Sequence, residues 1–183
     1  MKKQVLFIHS AGPQRVHEGS TGLTTYLKES LGDEFYFSAP AMPAPENPAY
    51  SPWKVRLEKA LAELDGEVIL IGHSLGGSVL LKYLSETTHP PDAAALFLVA
   101  SPYWSEETGW ESDDFALLND FASRLPAIGR LVLIGSRNDE IVPSSHLKLY
   151  KQKLPQAELR LLDSGDHLFQ HGLPELVEEI KKL

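Results

Sequence analysis

Three short segments carry side chains that together could perform acyl transfer. The first is Gly72-His73-Ser74-Leu75-Gly76, followed by Gly77. It stands directly after the apolar run 68–71 and directly before an amphipathic stretch that starts at Ser78. A Gly-x-Ser-x-Gly pattern between a strand and a helix makes a sharp turn that lifts the serine hydroxyl clear of the sheet. The flanking glycines let backbone approach without a Cβ clash, and the helix N-terminus supplies free N–H groups. The competing reading is an ordinary glycine-rich turn with an N-capping serine. A serine also needs a base to take its proton. His167, in Asp163-Ser164-Gly165-Asp166-His167, follows the apolar run 159–162, so in a parallel sheet it would share a rim with Ser74. The alternatives are a surface histidine or, with His171, half of a metal pair. No glutamate lies between those two histidines and no third ligand is suggested nearby, so no metal is expected. The acid that orients the base should come from a third rim loop. Asp139, in Gly135-Ser136-Arg137-Asn138-Asp139, follows the run 131–134. Its rivals are Glu140 and Asp166, and an aspartate there could also be a turn residue ahead of Pro143.

These residues need a scaffold that brings three strand ends to one edge. Short apolar runs at 5–8, 35–37, 68–71, 94–99, 131–134 and 159–162 have the length of strands. Most lack polar alternation, as strands covered on both faces do. Between them apolar residues recur at helical spacing, as in Leu23, Tyr26, Leu27 and Leu31, or Leu176, Val177 and Ile180 after Pro174. Other such stretches follow Ser51-Pro52, Ser74, Asp113-Asp114 and Pro143-Ser144. The alternation predicts an α/β fold, a three-layer sandwich with a mainly parallel six-stranded sheet, as a single domain over 1–183. Two stretches break the rhythm. Residues 39–52 carry five prolines and read as a rigid, extended loop. Residues 101–112 hold Trp104 and Trp110 outside any regular pattern.

Composition narrows the possible partners. The 183 residues include 17 Lys+Arg against 25 Asp+Glu, a net charge of −8, which disfavours a phosphate backbone. Nucleic acid is therefore not expected. Cysteine is absent, which removes disulfides and a thiolate nucleophile and fits a reducing, cytoplasmic setting. Lys2-Lys3-Gln4 precede only the short run 5–8, too brief for a secretory core, and no apolar run approaches the roughly 20 residues of a membrane span. A small acyl substrate, no membrane and no cofactor are the expectation; a protein partner is compatible with the sequence but not shown by it.

With these residues in view, the chain resembles the α/β-hydrolase superfamily over nearly all its length. The order Ser74, Asp139, His167 is the one that fold uses. The first strand leads straight to the expected oxyanion loop, so the resemblance implies a minimal version lacking the two N-terminal strands of larger members. Within the superfamily the chain is similar to the small serine hydrolases related to retinoblastoma-binding protein nine. The motifs that carry this are Ala41-Met42-Pro43-Ala44-Pro45, the Gly72-His73-Ser74 elbow and the aromatic stretch after the run 94–99. The resemblance implies an oxyanion hole from two backbone N–H groups. One is that of Leu75; the other comes from His9-Ser10-Ala11-Gly12, most simply from Ala11, with Ser10 as the alternative. Ser10 stands where relatives often have glycine. His9 and His73 read as structural. Ser10, Met42, Tyr103, Trp104 and Trp110 are candidates for a substrate pocket, with Trp53 a further aromatic; ordinary packing is the alternative. The activity so implied is cleavage of small carboxylic esters or thioesters through an acyl-enzyme. An amidase on the same triad and a binding module on the same fold are the other readings.

Overall fold

The computed structural model describes residues 2–183. Six strands alternate with six helices in the order β1 (Lys3–Ile8), α1 (Thr21–Leu31), β2 (Phe35–Ser38), α2 (Tyr50–Ala62), β3 (Val68–His73), α3 (Leu75–Glu86), β4 (Ala93–Val99), α4 (Phe121–Arg124), β5 (Ile128–Ser136), α5 (Ser145–Lys153), β6 (Glu158–Leu162) and α6 (Pro174–Lys181). All neighbouring strands pair in parallel, and the sheet order is β2-β1-β3-β4-β5-β6. The chain reverses its direction across the sheet between β1 and β3. A crevice opens at the C-terminal ends of strands where such a reversal occurs.

The continuous apolar runs are explained by side chains that alternate between two cores. Leu6, Leu70, Leu96 and Leu131 stand in register across β1, β3, β4 and β5. They pack in one layer with Trp53 and Leu57 of α2, Val79 and Leu80 of α3, and Tyr150 of α5. The next row, Phe7, Ile71, Phe97 and Val132, faces the other layer, with Leu23 and Leu27 of α1 and Leu176 and Ile180 of α6. Every residue of β3 is buried, which makes the turn that follows it a rigid base.

The helical spacing after Asp113 does not produce the helix it predicts. Only Phe121–Arg124 is helical. In the irregular segment before it, the Ala116 carbonyl accepts from Lys82 Nζ of α3 at 2.7 Å. The Asp114 carboxylate meanwhile accepts from the Tyr50 N–H at 2.6 Å. Phe115 and Phe121 are still buried, so the apolar spacing serves an irregular cover over α3. The proline-rich loop also departs from an extended form. It turns at 44–47, where Ala44 has φ 42° and Asn47 N–H donates to the Ala44 carbonyl. Two hydrogen bonds hold it against the loop after β1: Gly12 N–H donates to the Pro45 carbonyl at 2.7 Å and Met42 N–H to Gln14 Oε1 at 2.9 Å.

At the opposite end of the sheet, Arg130 holds Glu158 with two hydrogen bonds (2.6 and 2.8 Å) and also bonds the buried Glu179. The Arg130 bonds push the Glu158 carboxyl down to about 2, while Lys182 first and Arg130 with it lower that of Glu179. Carboxyls depressed in the folded chain stabilise it above the ordinary range of about 4.3, and that contribution is lost as pH falls towards 2. The Glu158 side chain is partly exposed, so solvent screens the pair, and Arg130→Met should lower the unfolding free energy at pH 7 by about 1 kcal/mol. The gap from wild type should close near pH 2 in denaturant titrations. A gap that stays constant with pH would show that only packing had been lost.

Candidate active site

Ser74 sits between β3 and α3 with φ 51° and ψ −122°, a conformation that side-chain-bearing residues rarely adopt. The surroundings impose it. Ser74 N–H donates to the Val99 carbonyl at 2.8 Å, which pins the turn to the neighbouring strand. A Cβ on Gly76 would run into the Ile8 carbonyl, and one on Gly72 into the backbone of Gly77. Both glycines are thus required for α3 to start this close to β1 and β3.

His167 comes from the loop after β6, and Asp139 from the loop after β5. The two loops are tied together: Ser136 Oγ donates to the Gly165 carbonyl at 2.6 Å, and Gly165 N–H to Asn138 Oδ1 at 2.9 Å. Asp139 Oδ1 accepts from the N–H groups of Ile141 and Val142, each at 2.9 Å. Its Oδ2 lies 2.8 Å from His167 Nδ1. The aspartate therefore acts as a turn residue through one oxygen and as the partner of the histidine through the other. Burial pushes its carboxyl up, but the bonds from His167, Val142 and Ile141 outweigh this and hold it below its ordinary value. A carboxylate can only accept, so Nδ1 carries the imidazole proton and Nε2 is free to accept. Ser74 Oγ–H faces that Nε2 at 3.0 Å. All three side chains are buried, whereas Glu140 and Asp166 are exposed. With both ring nitrogens so engaged, His167 is not available to form a metal pair with His171.

The loop after β1 lies beside this group. Ser10 N–H donates to Ser20 Oγ at 2.8 Å, and Gly12 N–H to the Pro45 carbonyl. The Ser10 N–H is thus committed away from the site. Between them, the Ala11 N–H has no acceptor among the described residues, nor has that of Leu75 at the start of α3.

The pocket candidates fare differently. Trp53 is fully buried beneath the proline-rich loop, its Nε1–H on the Pro43 carbonyl at 2.8 Å, and Met42 is buried in the same core. Ser10 is buried and bonded to Ser20. Trp104 packs edge-on against Trp110 and tilted against Phe115, with Nε1–H donating to Ser78 Oγ at 3.0 Å. Tyr103 stacks edge-on against Tyr150, 4.9 Å between ring centres. Packing thus accounts for Trp53, Met42 and Ser10, while Tyr103, Trp104 and Trp110 form a half-buried aromatic cluster over α3 and α5. A cavity of about 520 Å³ does flank the β1 loop, but His9, Gln14, Thr21, Tyr26, Gln170 and His171 line it rather than these residues. Sequence reasoning did not single out Ser136 and Asn138, the tethers of the two loops. Their only signal is a position beside Asp139 in a turn.

A parallel sheet with a serine elbow after its third strand, an acid after its fifth and a histidine after its sixth defines an α/β-hydrolase fold. The chain belongs to the serine hydrolase family, whose model matches residues 25–180. It is 25% identical over 177 residues to the YdeN protein of Bacillus subtilis (strain 168), covering 96% of this chain and 92% of that one. The crystal structure of YdeN superposes with a TM-score of 0.84 at 24% identity, over 99% of this chain and 98% of that one. Two more distant structures share the fold. The thioesterase domain from the curacin biosynthetic pathway has a TM-score of 0.72 at 15% identity, covering 98% of this chain and 91% of that one. Est1E from Butyrivibrio proteoclasticus has 0.71 at 13%, covering 99% and 86%. The protein is therefore an enzyme of the serine hydrolase type. Among the described residues no helix is long and apolar enough to cross a membrane.

Proposed function

We propose that this hydrolase cleaves small carboxylic esters or thioesters through an acyl-enzyme formed on Ser74. The observation that carries the reading is the unbroken line from Asp139 Oδ2 to His167 Nδ1 at 2.8 Å and from His167 Nε2 to Ser74 Oγ at 3.0 Å. Ser74 Oγ attacks the carbonyl carbon as its proton passes to His167 Nε2. The N–H groups of Leu75 and Ala11 hold the oxyanion. Collapse of the tetrahedral species breaks the bond to the leaving oxygen or sulfur, which takes the proton from His167. Water then adds to the acyl-enzyme by the same route, and Ser74 recovers its proton. Asp139 stays ionised and stabilises the imidazolium in both halves.

The thioesterase domain among its structural neighbours supports this substrate class. The finer likeness to the retinoblastoma-binding protein nine group belongs to the same proposal, supported by the Met42-Pro43 loop and the Gly72-His73-Ser74 elbow. A cytoplasmic setting fits a chain without cysteine.

Substrate size follows from the segment 100–127 between β4 and β5. Trp104, Phe115 and Phe121 of that segment are spent on the core layer that includes α3. An acyl chain leaving Ser74 would soon reach solvent and gain little from each further methylene. With p-nitrophenyl esters, kcat/KM should peak at about two to six acyl carbons. A rate that climbs steadily to long fatty acyl chains would overturn the small-substrate reading. Labelling by a fluorophosphonate tests the acyl-enzyme itself: a wild-type protein that takes no label on Ser74 is not a serine hydrolase of this mechanism.

A further inference from the structure

His73 lies next to the nucleophile in sequence, yet its side chain points below the site and is fully buried. Its Nε2 is 2.7 Å from the backbone carbonyl of His167, and its Nδ1 is 2.9 Å from Ser20 Oγ. Ser20 Oγ in turn lies 2.8 Å from both the N and the Oγ of Ser10. The protons in this chain have one consistent arrangement. A carbonyl can only accept, so His73 Nε2–H donates to His167. Burial pushes the His73 imidazole down to about 3, so the ring is neutral and Nδ1 is bare. Ser20 must then give its single hydroxyl proton to Nδ1. Both hydrogen bonds from Ser10, N–H and O–H, consequently end on Ser20 Oγ.

The path runs from the loop that carries the Ala11 N–H, through Ser20, to the backbone of the base. It passes through the residue bonded covalently to Ser74. Ser20 precedes α1 but makes no side-chain capping bond to it. Its hydroxyl is spent on the path instead of on the helix, where a serine in that place ordinarily acts. The path also gives a physical reason for Ser10 where a glycine would otherwise serve the turn: its hydroxyl supplies the second donor to Ser20.

We propose that Ser10, Ser20 and His73 form one buried hydrogen-bonded path that sets His167 and the Ala11 N–H relative to each other, which makes Ser20 and His73 positioning residues for hydrolysis. The inference rests on the proposed acyl-enzyme reading. It assigns the path to catalysis rather than to stability alone, because both ends of it meet groups used in the transition state. Ground-state binding of a small ester uses neither end strongly. Loss of the path should therefore lower kcat and leave KM in place.

The experiment measures kcat, KM, melting temperature and affinity for phenylboronic acid in wild type, Ser20→Ala, Ser10→Ala and His73→Gln. Phenylboronic acid forms a tetrahedral adduct with an active serine and so reports the oxyanion geometry. Ser20→Ala should lower kcat about 10- to 100-fold, with KM within about twofold. Boronate affinity should fall by the same factor as kcat. Ser10→Ala keeps its N–H bond and should lose less, about threefold, along the same line. His73→Gln retains a donor for the His167 carbonyl and should fall between them. Ser85→Ala, which removes a buried hydroxyl bonded to the Lys82 carbonyl at 2.8 Å, is the control and should leave kcat unchanged. Wild-type kcat and boronate affinity in folded Ser20→Ala would overturn the inference. So would losses that follow melting temperature alone. If Ser20→Ala does not fold, Ser10→Ala decides by the same two readouts. Fluorophosphonate labelling separates the two levels: a labelled Ser74 with insensitive path variants removes the path only, whereas an unlabelled wild type removes both.

Discussion

Replacing Ser74 by alanine should lower kcat for a short-chain aryl ester by about 10⁵- to 10⁶-fold and abolish fluorophosphonate labelling. The size of the effect follows from what remains. The proposed oxyanion donors, the N–H groups of Leu75 and Ala11, and the binding surface would still act on water, and such remnants are worth about 10³- to 10⁴-fold over the uncatalysed rate. They cannot replace a nucleophile held 3.0 Å from its base. The fold should survive the change. The strained φ of 51° is imposed by the Val99 carbonyl, which accepts from the N–H of residue 74 whatever its side chain, and by the close approach around Gly72 and Gly76. Alanine meets the same backbone cost as serine there. Circular dichroism should give a melting temperature close to that of wild type, so lost activity would report chemistry. Turnover within a factor of ten of wild type would remove Ser74 from the mechanism.

Asp139→Asn should cost about 10⁴-fold in kcat near neutral pH, the second largest effect expected. The physical cause is the imidazole tautomer. An asparagine can turn its amide nitrogen towards His167 Nδ1, which then accepts and leaves the proton on Nε2. That nitrogen would face the Ser74 hydroxyl as a donor and could not take its proton. The same rotamer leaves the amide oxygen to accept from the N–H groups of Ile141 and Val142, now 2.9 Å from Oδ1. The turn is kept while the base is disabled. Asp166→Asn and Glu140→Gln should stay within about threefold of wild type, because both side chains are exposed surface groups. The three variants should be compared at matched thermal stability. A crippled Asp166→Asn beside an active Asp139→Asn would mean that the base takes its orientation from another carboxylate.

What could be read in the sequence was local. The apolar runs at 5–8 and 68–71 identify strands because a strand covered on both faces must be apolar at successive positions. The serine turn is legible because its glycines act on their immediate neighbours in the chain. His167 and Asp139 could be placed because each follows a strand, and parallel strands bring those ends to one rim. The triad acid needed more than that, since Glu140 and Asp166 differ from Asp139 by a position and not by chemistry. Burial and the two N–H bonds to Oδ1 separate them.

The remainder depended on groups far apart in sequence. Periodicity at 113–125 describes a helix, but the same apolar residues serve an irregular cover tied to distant partners, Asp114 to Tyr50 and the Ala116 carbonyl to Lys82. Trp53 and Met42 offer the same side chains to a pocket or a core, and the folding of the proline-rich loop, which carries Met42 and is bonded to Trp53, put both in the core. Ser10 looked like a departure at a glycine position until Ser20 and His73 stood within hydrogen-bonding distance of one another. Sequence alone determined the strand order of function, with a serine, an acid and a histidine each after a strand. Tertiary structure decided which polar groups are spent on one another and which stay free to act. Hydrogen bonding saturates, so each proton given to a distant partner is lost to the site, and only the folded chain determines that partner.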